Sequence, residues 1–111
     1  MNQKQEELLK VISFLFVAKC IEKKYNYKHS IITLFNNTVA YYNLIYPKGD
    51  FTIKSDENIS PYTKESYLET LLGATKTLNH LCEIDTDKSN RTFYHIANIT
   101  ILANIRIHLD Y

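Results

Sequence analysis

Apolar residues return every three or four positions along most of this chain, and four stretches carry that period. In the first, Leu8, Val11, Ile12, Leu15, Ala18 and Ile21 fall on one side of a helix. Leu9, Phe14, Phe16 and Val17 widen the apolar surface well beyond that stripe, as in a helix that is central or covered by another chain. Glu6 and Glu7 suit its N-terminus, where the helix dipole is positive. In the second, Tyr27, Ile31, Leu34, Phe35, Thr38, Tyr41, Tyr42 and Ile45 recur at helical spacing. Pro47 ends it, because the residue before a proline is pushed out of the helical region. In the third, Leu68, Leu71, Leu72, Thr75, Leu78 and Cys82 make a narrow stripe. Ser60 is the expected cap and Pro61 the expected first-turn residue.

The fourth stretch reads two ways. From Asn98 to Tyr111 polar and apolar residues alternate, which predicts a strand with Arg106, His108 and Asp110 on its polar side. Wound as a helix, the same segment lines up Phe93, Ala97, Ile101, Ile105 and Leu109, while Ile96, Ile99, Ala103 and Ile107 make the opposite side apolar too. A strand of that length greatly exceeds the usual five or six residues. Its only candidate neighbour is the short Phe51–Lys54 stretch. Helix is therefore the expectation, with Ser89 as its N-cap, and α+β with a C-terminal strand the alternative. The pattern predicts a single all-α domain, residues 1–111, with helices at about 4–24, 28–46, 61–83 and 90–109. They form a four-helix up-down bundle with one longer crossover loop, Pro47 to Pro61.

Composition changes this picture little. A chain of 111 residues holds one core. Gly 2 and Pro 2 favour a few long elements over a turn-rich sandwich or barrel. Phe, Ile, Asn, Lys and Tyr are abundant and have AT-rich codons, which points to a bacterial, plasmid or phage origin. The apolar "VISFLFVAKC" is too short and too acidic in its approach for a signal peptide, so the expected location is cytoplasmic and no membrane partner is expected. Cys20 and Cys82 then read as thiols rather than a disulfide.

Net charge is +1 but uneven. Residues 1–54 hold eight lysines against four carboxylates, and residues 55–111 hold five basic against eight acidic side chains. No glycine-rich phosphate loop and no metal-ligand spacing is present, so neither cofactor nor metal is expected. Arg91 and His95 lie one helical turn apart, the minimum for holding a phosphate and moving a proton; this carries a rival reading as a small helical ribonuclease. The "KCIEKKYNYKH" segment interleaves lysine with tyrosine, as single-stranded nucleic-acid binders do. The chain as a whole lacks the strongly basic character such binding wants, so a nucleic-acid partner is not expected.

Tyr 9 with Trp 0 is the compositional oddity. Tyrosine is enriched at interfaces. Tyr41, Tyr42 and Tyr46 cluster near an acidic stretch that includes Asp56, Glu57, Glu65 and Glu69, and these seven are the candidate binding residues. Acidic surface beside tyrosine suits a basic partner. The expected function is thus a non-enzymatic inhibitor or immunity protein that neutralises a toxin. A homodimer closed by the broad apolar first and last helices is a further possible assembly.

Overall fold

The computed structural model describes residues 2–27, 31–47 and 63–110, the side chains of Lys64 and Asp110 excepted. It contains four helices, α1 (Gln3–Tyr25), α2 (Ile31–Ile45), α3 (Lys64–Ile84) and α4 (Lys88–Asp110), and no strand among the described residues. The C-terminal segment is helical from Asn98 through Asp110, across its alternating pattern. The Phe51–Lys54 stretch, the Ser60 cap and Pro61 lie outside the described residues.

Local chemistry explains the helix ends. The Asn2 side chain accepts from the Gln5 N–H at 2.7 Å, and α1 closes on Asn26 in the left-handed region (φ 56°) with Lys23 and Lys24 in the last turn. Helix α3 starts from Thr63, whose hydroxyl accepts from the Ser66 N–H while Ser66 Oγ accepts from the Thr63 N–H. At the start of α4 the cap is Asp87 rather than Ser89. Asp87 Oδ1 accepts from the Asn90 N–H at 2.9 Å, and its carbonyl accepts from Arg91. Ser89 already lies inside the helix.

Cross-contacts fix the topology. Gln5 reaches Tyr42 and Glu22 reaches Ile31, so α1 and α2 are antiparallel. Gln3 meets His80 and Glu22 meets Tyr67, so α3 is also antiparallel to α1. Asn79 meets Asn98 and Tyr67 meets His108, which makes α4 antiparallel to α3. The helices therefore run up, down, down and up, a refinement of the expected bundle. Helix α2 accordingly ends at one end of the bundle and α3 begins at the other. Around the ring the order is α1, α2, α4, α3. The α1–α3 contact is the broadest and the α2–α4 contact the narrowest.

Each helix buries a line at alternating three- and four-residue steps, the spacing that suits nearly aligned helices. On α1 the line is Leu8, Val11, Leu15, Ala18; on α2 it is Ile31, Phe35, Thr38, Tyr42; on α4 it is Tyr94, Ala97, Ile101, Asn104. On α3 the buried line is Tyr67, Leu71, Ala74, Leu78 and Leu81. That line keeps Leu71 and Leu78 of the stripe expected from the sequence but is rotated from Leu68, Leu72, Thr75 and Cys82 toward Tyr67, Ala74 and Leu81, and Leu72 is 50% exposed. The rotation brings Gly73 against α1, where a β-carbon would lie 2.9 Å from the Phe14 ring.

Candidate functional site

Two buried carboxylates mark opposite ends of the bundle. Asp85, between α3 and α4, is 2% exposed. It accepts from the Tyr94 hydroxyl (2.8 Å), the Asn90 amide (3.1 Å) and the Asp87 N–H (3.0 Å), and Lys4 Nζ lies 3.9 Å away. Burial alone would raise its pKa, but these donors and the lysine together outweigh it and hold the carboxyl below its ordinary value. Glu22, near the end of α1, is 5% exposed and accepts from the Ile31 N–H (3.3 Å) and the Tyr67 hydroxyl (3.2 Å). There burial outweighs the donors and pushes the carboxyl up to about 7. The His108 ring packs on Tyr67 and Tyr27 beside it. Asp85 uses both oxygens, and Glu22 its Oε1, to join elements of the fold.

Among the described residues, the candidate tyrosines and the candidate glutamates lie at opposite ends of the bundle. Tyr42 is fully buried and accepts from the Gln5 amide at 2.8 Å, so it is core and unavailable to a partner. Tyr41 is half-buried. Its ring stacks on Phe93 with centroids 4.1 Å apart, and its hydroxyl donates to the Asn90 side-chain oxygen. Tyr46 tilts against Tyr42. These tyrosines tie the end of α2 to α1 and α4. Glu65 and Glu69 are exposed, but on the first turns of α3, at the far end of the bundle. Asp56 and Glu57 lie outside the described residues.

The other candidate chemistries are placed as follows. Arg91 and His95 are both exposed on α4, and His95 Nδ1 is 3.9 Å from Cys82 Sγ. Burial raises the Cys82 thiol pKa despite nearby Arg91. Neither cysteine is in a disulfide, and both are half-buried. The lysine–aromatic interleaving serves internal contacts, since Lys19 sits over Phe35 (4.4 Å) and Lys24 over Tyr25 (5.2 Å). Among the described residues no group of three or more His, Cys, Asp or Glu side chains could hold a metal ion, and no helix is long and apolar enough to cross a membrane.

The surface feature that stands out is the side formed by α2 and α4. Helix α2 carries no charged residue, and α4 carries none from Thr92 to Ile105. Large exposed hydrophobics concentrate there: Ile32 and Leu44 on α2, and Ile96, Ile99, Leu102, Ile107 and Leu109 on α4, with Leu72 of α3 the exception. Ile96, Ile99, Ala103 and Ile107 advance by three or four residues and so form one line along the outside of α4. This is the apolar second side of α4 legible in its sequence, now seen to face outward.

Set against known proteins, the chain matches no family model, no curated protein and no solved structure.

Proposed function

We propose that this chain is a non-catalytic binding protein, an inhibitor or immunity protein that neutralises a toxin by engaging it through the α2/α4 side. The observation that carries the reading is the uncharged aliphatic surface of α4, with Ile99 67% and Ile96 59% exposed in the middle of a helix. Scattered exposed hydrophobics need no explanation, but a contiguous line of them marks a contact surface. The polar groups best placed for chemistry, Asp85 and Glu22, are committed to internal hydrogen bonds. Exposed Glu65 and Glu69 add an acidic rim at one end for a basic segment of the partner. Half-buried, unbridged cysteines fit action in a reducing cytoplasm.

The test is co-expression with the products of the flanking genes, scoring relief of growth arrest and co-purification. The expected outcome is protection that is lost in Ile99→Asp and kept in Lys76→Glu on charged α3. Arg91→Ala and His95→Ala are expected to leave protection intact. Loss of an RNA-cleaving activity in those two variants would instead establish the rival ribonuclease.

A further inference from the structure

We infer that, when no other protein occupies it, the outer face of α4 pairs with the same face of a second copy, antiparallel about a two-fold axis at Ala103. The inference rests on reading this side of the bundle as a contact surface and names the partner that covers it.

Three observations favour a second copy. The first is charge. Over Thr92–Ile105 the helix has no Lys, Arg, Asp or Glu, and exposed Arg106, three residues from the axis, falls opposite the partner copy's uncharged position 100 rather than opposite itself. The chain's net charge of +1 adds little longer-range repulsion.

The second is shape. Ala103 is exposed and small, and Ile99 and Ile107 stand one turn to either side of it. A helix crossing there meets a saddle between two isoleucines. An antiparallel copy presents the same saddle, so Ala103 faces the partner's Ala103 and Ile99 lies beside the partner's Ile107, twice over. Such reciprocity is what a closed two-fold interface requires.

The third is area. Ile96, Ile99, Leu102, Ile107 and Leu109, 44–67% exposed, present on the order of 400 Å² of aliphatic surface. A standard interface takes about 800 Å² from each partner, a little over half of it apolar. Ile96, Ile99 and Ile107 lie on the line through Ala103 and Leu102 and Leu109 flank it, so the outer side of α4 taken with its flank supplies about that apolar share.

The test is the solution mass of the full chain across a wide concentration range, with and without Ile99→Asp. In parallel, Ala103→Cys is placed in a Cys20→Ser, Cys82→Ser background and treated with a mild oxidant. The expected result is a dimer at high concentration, weakened roughly a hundredfold or more by Ile99→Asp. Rapid disulfide cross-linking at position 103, and none for Ser89→Cys in the same background, would place the axis. A chain that stays monomeric overturns the proposal, and so does a dimer indifferent to Ile99→Asp. If the monomeric chain still binds a flanking-gene product and loses it on Ile99→Asp, only the second-copy inference falls. If Ile99→Asp changes neither mass nor capture, the reading of the face as a contact surface falls with it.

Discussion

Helices α1 and α3 hold thirteen charged residues between them; α2 and α4 hold four, all toward the ends of α4. The α1/α3 side packs broadly and, Glu22 apart, its described charges stay off the core, so inner line and outer face are both accounted for by a lone folded chain. The α2/α4 side packs narrowly and turns isoleucine and leucine outward. Stability demands the first arrangement and does not explain the second. An apolar residue therefore means different things on the two sides, holding the fold together at Leu15 or Leu78 and inviting a contact at Ile99.

That contrast is breakable by substitution. The largest effect is expected in the core of the α1/α3 side. Leu15→Ala or Leu78→Ala, both at fully buried positions, should cost about 3 kcal/mol in urea unfolding. Ile99→Ala should cost a few tenths at most, and equal costs would erase the distinction. Next comes Asp85→Ala, which strands the buried Tyr94 hydroxyl and the Asn90 amide and should cost about 2–3 kcal/mol at neutral pH. Because the folded Asp85 pKa lies below its unfolded value, its contribution is present above the ordinary carboxyl pKa. It should fade as pH falls through the folded one, so the variant and the wild type converge in acid.

Gly73→Val forces the Phe14 ring aside where α3 packs on α1 and should cost about 2 kcal/mol. Glu22 gives a smaller effect of opposite sign. Its folded pKa of about 7 exceeds the unfolded value, so the native state holds an extra proton between them and wild-type stability declines as pH rises through that interval. Glu22→Gln keeps the acceptor for Ile31 and Tyr67 without the buried charge. It should raise stability by about 1–2 kcal/mol at pH 8 and by nothing measurable below the ordinary glutamate pKa, by thermal denaturation.

Much of this fold was legible in the periodicity, because helices longer than five turns repeat their pattern often enough to average out local noise. The C-terminal segment shows the limit. Alternation and helical spacing coexist in "NITILANIRIHL", and the excessive length of such a strand and its lack of strand partners favoured the helix that the structure has. On α3 two apolar lines run side by side and share Leu71 and Leu78, and which flank is buried depends on packing between elements, such as Gly73 against Phe14, that no local pattern encodes. The buried carboxylates did leave a signal. Glu22 extends the line Leu8, Val11, Leu15, Ala18, and Asp85 extends Tyr67, Leu71, Ala74, Leu78, Leu81, each at the next three- or four-residue step. A charge on the core line at a helix end belongs to a buried hydrogen-bonded cluster. The tyrosines misled because their clustering in sequence reflected attachment of α2 to its neighbours, with Tyr42 wholly inside.

The smallest expected effect on stability is also the most telling. Ile99→Asp should change the unfolding free energy of the dilute chain by no more than about 0.5 kcal/mol, as exposed positions do. Association of folded copies raises the thermal midpoint with protein concentration. The decisive measurement is the thermal midpoint of wild type and Ile99→Asp from dilute to concentrated solution. The expected result is a wild-type midpoint that climbs with concentration while the variant stays flat at the dilute wild-type value. Two flat and equal lines would contradict a self-pairing α4 face, and a variant that melts low at every concentration would make Ile99 part of the fold rather than of a contact surface.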